Sequence, residues 1–340
     1  MRATALALIC CALLAGAGLD EYEWNLPKGF PKPRVPADNP MTAAKVELGR
    51  YLFYDTRLSV NGKSSCATCH QQALAFTDGR AAALGATGEA HSRSSMSLVN
   101  VAYSAAFNWS NREVKSLEEQ ALGPMYGEHP VELGLRPDGG FLRTLRSDAK
   151  YRMLFQRAFP EEPDAFTVGN LRKAIASFER SIISARSPYD AYHYGGDDNA
   201  VSASAKQGEV LFFSQQLQCF RCHGGFNFSD ATDFEGRERT DVEFHNTGVS
   251  QAESTGFKTP TLRNIALTGP YMHDGSLTTL EAAFTHYANV GKAGHENPNI
   301  DPLLKGFSWS MMGRLNLIAF LQSLTDLEVT RDPRFANPWK

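Results

Sequence analysis

Cys66-Ala67-Thr68-Cys69-His70 and Cys219-Phe220-Arg221-Cys222-His223 are two copies of one pattern, Cys-x-x-Cys-His, and their reading decides the fold of the chain. In each copy two thiols stand at the spacing that forms thioethers to the vinyl groups of one haem. The adjacent imidazole can then reach the iron from below. The alternative is a zinc site built from all four thiolates. The histidine directly after each pair argues against it, as does the export signal described next. The chain therefore reads as a carrier of two covalent haems c, one on Cys66, Cys69 and His70, the other on Cys219, Cys222 and His223.

Cysteine use agrees with that reading. Of six cysteines, Cys10 and Cys11 lie in a segment that starts Met1-Arg2, continues as an apolar run from Ala3 to Leu14 and ends Ala15-Gly16-Ala17. A basic start, a short apolar run and an Ala-x-Ala-like end predict a cleaved secretory signal peptide over residues 1–17, too short to span a bilayer. A lipoprotein cysteine at 10 or 11 would cut the apolar run in its middle. Removal of the signal leaves four cysteines, all assigned to haem, with none over for disulfides. The expected compartment is the periplasm.

With 340 residues and 42% hydrophobic content, the chain can bury one large or two moderate cores. The formal charge of −3 becomes −4 once Arg2 leaves with the signal, and haem propionates add further negative charge. Nothing basic or repetitive points to nucleic acid, and no other apolar run is long enough for a membrane span.

The two haem motifs sit inside a longer duplication. Leu48-Gly49-Arg50-Tyr51-Leu52-Phe53 precedes the first and Phe76-Thr77-Asp78 follows it; Gln207-Gly208-Glu209-Val210-Leu211-Phe212 and Phe228-Ser229-Asp230 flank the second. Gly-x-x-Leu-Phe, Cys-x-x-Cys-His and Phe-x-Asp thus recur in one order. The upstream pieces have helical spacing, with Val46, Leu48, Leu52, Val210 and Leu211 able to face a core. Between the repeats, Val168, Leu171, Ile175, Phe178 and Ile182 predict a long amphipathic helix stopping near Ser187-Pro188. Tyr194-Gly195-Gly196-Asp197-Asp198-Asn199 reads as a turn or linker. Leu315, Ile318, Ala319, Leu321 and Leu324 predict a closing helix, and strand signals are sparse. The expected fold is mainly α, with long loops. Two cytochrome c-like haem domains, over 41–195 and 196–340, follow an extended proline-rich arm over 18–40 that lies on the first.

Several stretches outside the haem motifs resemble the di-haem cytochrome c peroxidase family, over nearly all of the mature chain. They are Leu-Gly-Arg-Tyr-Leu-Phe-Tyr-Asp (48–55), Phe-Thr-Asp-Gly-Arg (76–80), Leu-Val-Asn-Val-Ala-Tyr (98–103), Leu-Glu-Glu-Gln-Ala-Leu-Gly-Pro (117–124) and Thr-Pro-Thr-Leu-Arg-Asn-Ile-Ala-Leu-Thr-Gly-Pro-Tyr-Met-His-Asp-Gly (259–275). Trp24-Asn25-Leu26-Pro27 and the stretch Met125 to Leu133 are most similar to the MauG and MbnH branch.

The resemblance implies that the haem on His70 binds peroxide. The family's distal glutamine, proline and glutamate map onto Gln120, Pro124 and Glu132, with Glu128 a competitor for the acid. Such a group moves a proton between the peroxide oxygens. The family's second haem takes a methionine fourteen residues after the histidine of Pro-Tyr-Met-His. Counting from His273 reaches Tyr287, which matches the ligating tyrosine of the MauG and MbnH branch. A phenolate favours electron-poor iron where a thioether favours reduced iron. Met272 and His286 remain as alternatives; neighbours on a helix point about 100° apart, so of His286 and Tyr287 only one can face the iron.

Trp109 falls in Phe107-Asn108-Trp109-Ser110-Asn111-Arg112, which resembles the family segment carrying the tryptophan between the haems. The family's calcium ion maps onto backbone oxygens of Thr268 and Pro270, with Ser94 where an asparagine is usual. His91 lies in the loop Gly85 to Arg93, out of register with the capping histidine of the peroxidases. It reads as a loop or propionate-contacting residue, leaving the first haem open. His129, His193, His245, His273 and His295 show no spacing that demands a metal, and Trp309 and Trp339 are unassigned. The implied activity is oxidation of a periplasmic partner protein by hydrogen peroxide, at a tryptophan in this branch. The alternatives are a peroxidase fed by a small redox carrier and a non-enzymatic electron carrier or haem sensor.

Overall fold

The computed structural model describes residues 22–292 and 297–340. The signal segment with Cys10 and Cys11, the first residues of the arm, and His295 lie outside the described residues. The described helices begin with α1 (Ala43–Phe53), α2 (Cys66–Cys69), α3 (Leu117–Gln120), α4 (Leu122–Tyr126), α5 (Gly140–Ser147) and α6 (Ala149–Ala158). They continue with α7 (Val168–Ser181), α8 (Pro188–His193), α9 (Ala203–Phe212), α10 (Leu280–Asn289) and α11 (Met311–Ser323). Among the described residues the only paired strands are β1 (Phe244–His245) and β2 (Phe257–Lys258), an antiparallel pair of two residues each. The fold is mainly helical.

Two helix pairs carry the architecture, and they repeat each other. α1 packs on α7 and α9 packs on α11. Gly49 makes the first approach possible: a Cβ there would lie 1.9 Å from the Ala174 carbonyl oxygen and 2.8 Å from Phe178 Cβ. Gly208 makes the second, at 1.9 Å from the Asn316 carbonyl oxygen and 2.8 Å from Phe320 Cβ. The duplication extends beyond the motifs read from sequence. Asn100 and Asn264 both adopt the left-handed conformation, which asparagine tolerates better than most residues. Their backbone N–H groups donate to Ile182 O at 2.8 Å and Leu324 O at 3.0 Å, the residues that follow α7 and α11.

The stripe of α7 buries as its spacing requires, whereas in α11 only Leu321 and Leu324 of the expected stripe are buried: Leu315 is 50% exposed, and Leu317 and Phe320 turn inward instead. Leu171, Ile175, Phe178 and Ile182 are buried with Leu48 and Leu52; Leu317, Phe320, Leu321 and Leu324 are buried with Phe212 and Phe228. Two further expectations fail. Val210 is 64% exposed, because the register of α9 turns Ala205, Gly208 and Phe212 inward instead. The helix predicted to stop near Ser187-Pro188 ends at Ser181, and Ser187-Pro188 starts α8. Ser187 Oγ accepts from Asp190 N at 3.2 Å, and proline at the first helical position lacks only a donor that would have no helical partner.

The arm touches both halves of the chain. Phe30 is buried against Tyr103 and Phe226, Tyr103 donates to Pro31 O at 2.8 Å, and Lys32 pairs with Glu235. The C-terminal tail also crosses over: Val329 and Phe335 are buried with Phe53, Phe76 and Phe178, and Tyr54 donates to Phe335 O at 2.7 Å.

Candidate haem-binding sites

The first motif forms α2, opened by Ser65, whose backbone N–H donates to Thr68 Oγ1 at 2.9 Å. His70 follows directly and its Nδ1 lies 2.9 Å from Phe76 O. A carbonyl only accepts, so Nδ1 carries the proton and Nε2 is left with its lone pair. Burial lowers the His70 pKa, keeping the ring neutral, as metal ligation needs. The second motif repeats the device: His223 Nδ1 lies 3.1 Å from Phe228 O, and burial lowers its pKa too. Phe76 and Phe228 hold positive φ, which turns each carbonyl toward its histidine.

A cavity of about 800 Å³, counted to its mouth, opens above the first motif. Cys66, Cys69, His70, Gln120, Pro124 and Glu132 all line it, brought together from α2, α3, α4 and the loop after α4. Glu128 is exposed and is not part of the lining. His91 sits at this cavity by way of Glu132, with 3.0 Å between Nε2 and Oε1. It is thus a carboxylate partner, a role the sequence reading did not give it.

Sequence reasoning missed Glu179, which also lines this cavity. Burial pushes its carboxyl up to about 8, with Arg180 opposing and Glu118 assisting. The available signal was an acid one turn after Ile175 on the buried stripe of α7.

In the C-terminal half α10 carries both Tyr287 and His286, and its rotation separates them. Leu280, Phe284 and Ala288 are buried on one face. His286 Nε2 is 2.8 Å from Thr247 O, so that ring is spent on a backbone carbonyl. The Tyr287 phenol faces Met272 Sδ at 4.0 Å, a weak acceptor at long range. Burial and then the Cys222 and Cys219 sulfurs raise its pKa. A half-buried phenol beside the haem-attachment cysteines, with no strong acceptor among the described residues, could serve as a ligand to a haem held there. Met272 stands close enough to be the competing donor.

His245, unassigned in the sequence, is buried between Asp230 at 2.8 Å and Asp301 at 2.5 Å. Its ligand nitrogen lies within 4.8 Å of Cys222 Sγ and the Asp230 carboxylate. Hydrogen bonding to Asp230 first, then the Cys222 sulfur, raises its pKa to about 11.

A second cavity of about 690 Å³ is lined from both halves of the chain, by Trp109, Ser94, Thr268, Pro270 and Lys258 among others. The three residues expected around calcium therefore border one space. Trp109 Nε1 donates to Ser94 O at 2.9 Å, and Lys258 N donates to Trp109 O at 2.8 Å. No carboxylate is in the lining, and Lys258 contributes a buried amine lowered to about 8 by burial. Neutral oxygens beside an ammonium fit a divalent cation poorly.

A mainly helical chain with two Cys-x-x-Cys-His segments, each presenting a buried imidazole whose Nδ1 faces a backbone carbonyl, defines a di-haem c-type protein. Comparison with known proteins agrees: residues 43–199 match the family model described as di-haem cytochrome c peroxidase. The chain is 33% identical to methylamine utilization protein MauG of Methylorubrum extorquens, over 94% of this chain and 91% of that one. It is 32% identical to cytochrome-c peroxidase IdrP1 of Denitromonas iodatirespirans, over 99% and 96%. A solved MauG-like protein associated with microbial copper homeostasis superposes with a TM-score of 0.88 at 34% identity, covering 94% of this chain and all of that one. The diheme peroxidase BthA of Burkholderia thailandensis, at 19% identity and a TM-score of 0.66, shares the fold over 92% of this chain and 93% of that one. The chain belongs to the di-haem cytochrome c peroxidase family, whose members carry two haems c, and is a peroxide-dependent oxidoreductase. Among the described residues no helix is long and apolar enough to cross a membrane.

Proposed function

We propose that this chain is a periplasmic enzyme of the MauG type. It takes hydrogen peroxide at the N-terminal haem, holds both oxidising equivalents across the two haems, and draws electrons from a partner protein, at a tryptophan side chain. The observation that carries this reading is the Tyr287 phenol directed at the second attachment motif while His286 is tied to Thr247 O. Likeness to MauG and to a MauG-like structure supports it.

When bound, the haems supply the iron chemistry that accepts the oxidising equivalents. The protein's part is to hold and shield. His70 and His223 would hold the two irons through Nε2. Tyr287 would offer its phenol oxygen to the second haem's iron, whose positive charge would offset the burial that disfavours the phenolate. Gln120 and Pro124 shape the first distal face, and Glu132 moves a proton between the peroxide oxygens, a contribution of roughly 10²–10⁴ in rate. Trp109, bordering the cavity between the halves, relays electrons between the haem domains 41–195 and 196–340. The signal peptide over 1–17 accounts for export.

Spectroscopy of the holoprotein tests the reading, wild type beside Tyr287→Phe and Met272→Leu, before and after one equivalent of peroxide. We expect the tyrosine variant to change the second haem's resting spectrum, the methionine variant to leave it alone, and both haem bands of the wild type to respond to peroxide. The second reading, a peroxidase drawing on a small redox carrier, is favoured by the nearness of Met272 Sδ and by the likeness to IdrP1. It predicts the reverse pattern and a high-potential second haem that must be reduced before turnover.

A further inference from the structure

We infer that His91 is a positioning residue: its Nε2–H holds the Glu132 carboxylate at the mouth of the first haem cavity. The loop that carries it is fastened to support that acid rather than free to plug the haem face. The inference rests on Glu132 being the distal acid, as proposed above.

The geometry of the loop is the argument. Leu84 and Ala90 pair as an antiparallel bridge, Gly85 N donates to Glu89 O at 2.9 Å, and His91 N donates to Ala83 O at 2.8 Å. This closed turn is bonded to the acid's own backbone, because Ala86 N donates to Val131 O at 2.9 Å and Glu132 O at 2.8 Å. Gly85 permits the contact, since a Cβ there would sit 2.2 Å from Val131 O. Asn61 Nδ2 adds a bond to Ala86 O at 2.7 Å. His91 and its acid are thus carried by two segments that cannot move independently without breaking several backbone hydrogen bonds.

The chemistry follows from the acceptor count. A carboxylate has two oxygens, and the imidazole N–H 3.0 Å from Oε1 leaves Oε2 to exchange a proton. Both side chains are partly open to solvent, at 24% and 30%, as the mouth of a site for a small soluble oxidant requires. The bond to Glu132 raises the His91 pKa against the opposing burial, and the charges of Glu132 and Glu89 add to the rise. The other ionisable groups facing this acid are His70 and, across the cavity, Glu179 on α7, with Asp78 and Arg80 beside Cys69. Below its raised pKa a cationic His91 holds Glu132 by charge as well as by the hydrogen bond. Above that pKa the hydrogen bond persists but the charge is lost.

The test uses holoenzyme with His91→Ala, His91→Gln, Glu132→Gln and the double variant His91→Ala/Glu132→Gln. Rapid-mixing kinetics with hydrogen peroxide are read beside equilibrium titration with cyanide, which gives up its proton to the same acid on binding. We expect His91→Ala to slow the peroxide reaction about 10- to 100-fold and to weaken cyanide similarly, with the resting spectrum unchanged. His91→Gln, which still donates a hydrogen bond, should recover most of the rate near neutrality but lose the inflection of the pH profile. The double variant should be no slower than Glu132→Gln. A slow Glu132→Gln beside a His91→Ala of wild-type rate and cyanide affinity overturns the role of His91. A Glu132→Gln of wild-type rate removes the distal-acid reading itself, and this inference with it. A resting spectrum that opens a coordination position in His91→Ala makes His91 an iron ligand, and overturns the inference as well. If His91→Ala fails to hold haem, the pH profile of His91→Gln decides: an inflection unchanged from wild type overturns the role.

Discussion

Gly208→Ala is the substitution that most directly connects the helix packing to the second haem. The new methyl would lie 1.9 Å from Asn316 O, whereas ordinary contacts start near 3.4 Å, so α9 and α11 must part by about 1.5 Å. That motion lifts Leu317, Phe320, Leu321 and Leu324, all buried, from Phe212 and Phe228. A gap of that size at each large side chain costs ~1 kcal/mol, so four cost about 4 kcal/mol. The gain from replacing glycine by alanine within a helix returns about 1 kcal/mol, leaving a net loss of ~3 kcal/mol. At a few degrees per kcal/mol, the melting temperature of the holoprotein should fall by roughly 5–10 °C. Because Phe220 of the second haem motif packs against the same cluster, that haem's spectrum should broaden or shift while the first is spared. Gly49→Ala, with the same 1.9 Å conflict at Ala174 O, should do the converse. Gly313→Ala, on α11 itself with nothing nearer than 3.4 Å, is the control and should hold or gain stability. A Gly208→Ala protein melting within a degree of wild type, with both haem spectra intact, refutes the argument that backbone contact at this glycine sets the helix spacing.

Two further outcomes follow from buried groups. His245→Gln leaves Asp230 and Asp301 facing each other without a cation and should cost ~3–5 kcal/mol near pH 7. Because the folded-state pKa of His245 is raised to about 11, its stabilisation is complete below the ordinary value near 6.5 and fades as pH rises toward 11. The gap between variant and wild type, measured by chemical denaturation, should therefore narrow with rising pH; a widening gap is inconsistent with the charge argument. Trp109→Phe removes the donor to Ser94 O and the proposed relay between the haems. In rapid mixing with peroxide, the first haem's band should respond at the wild-type rate and the second's at least tenfold later; simultaneous responses would exclude the relay.

The sequence by itself determined what is local. Cys-x-x-Cys-His is contiguous, so the covalent chemistry of each haem is written in five residues whatever surrounds them. The amphipathic stripe of α7 and the Gly-x-x-Leu-Phe repeat were legible for the same reason, since a helix places residues by fixed spacing. The tertiary structure decided everything that depends on how helices turn and which loops meet. Val210 points outward because the register of α9 is set by Gly208 against α11. His286 and Tyr287 are adjacent in the chain, and only the rotation of α10 sends one to Thr247 O and the other toward the attachment cysteines. His91 joins Glu132, and His245 joins Asp230 and Asp301, across separations that no periodicity spans. A side chain's partners are fixed by long-range packing, whereas its capacity for chemistry is fixed by its type and its immediate neighbours.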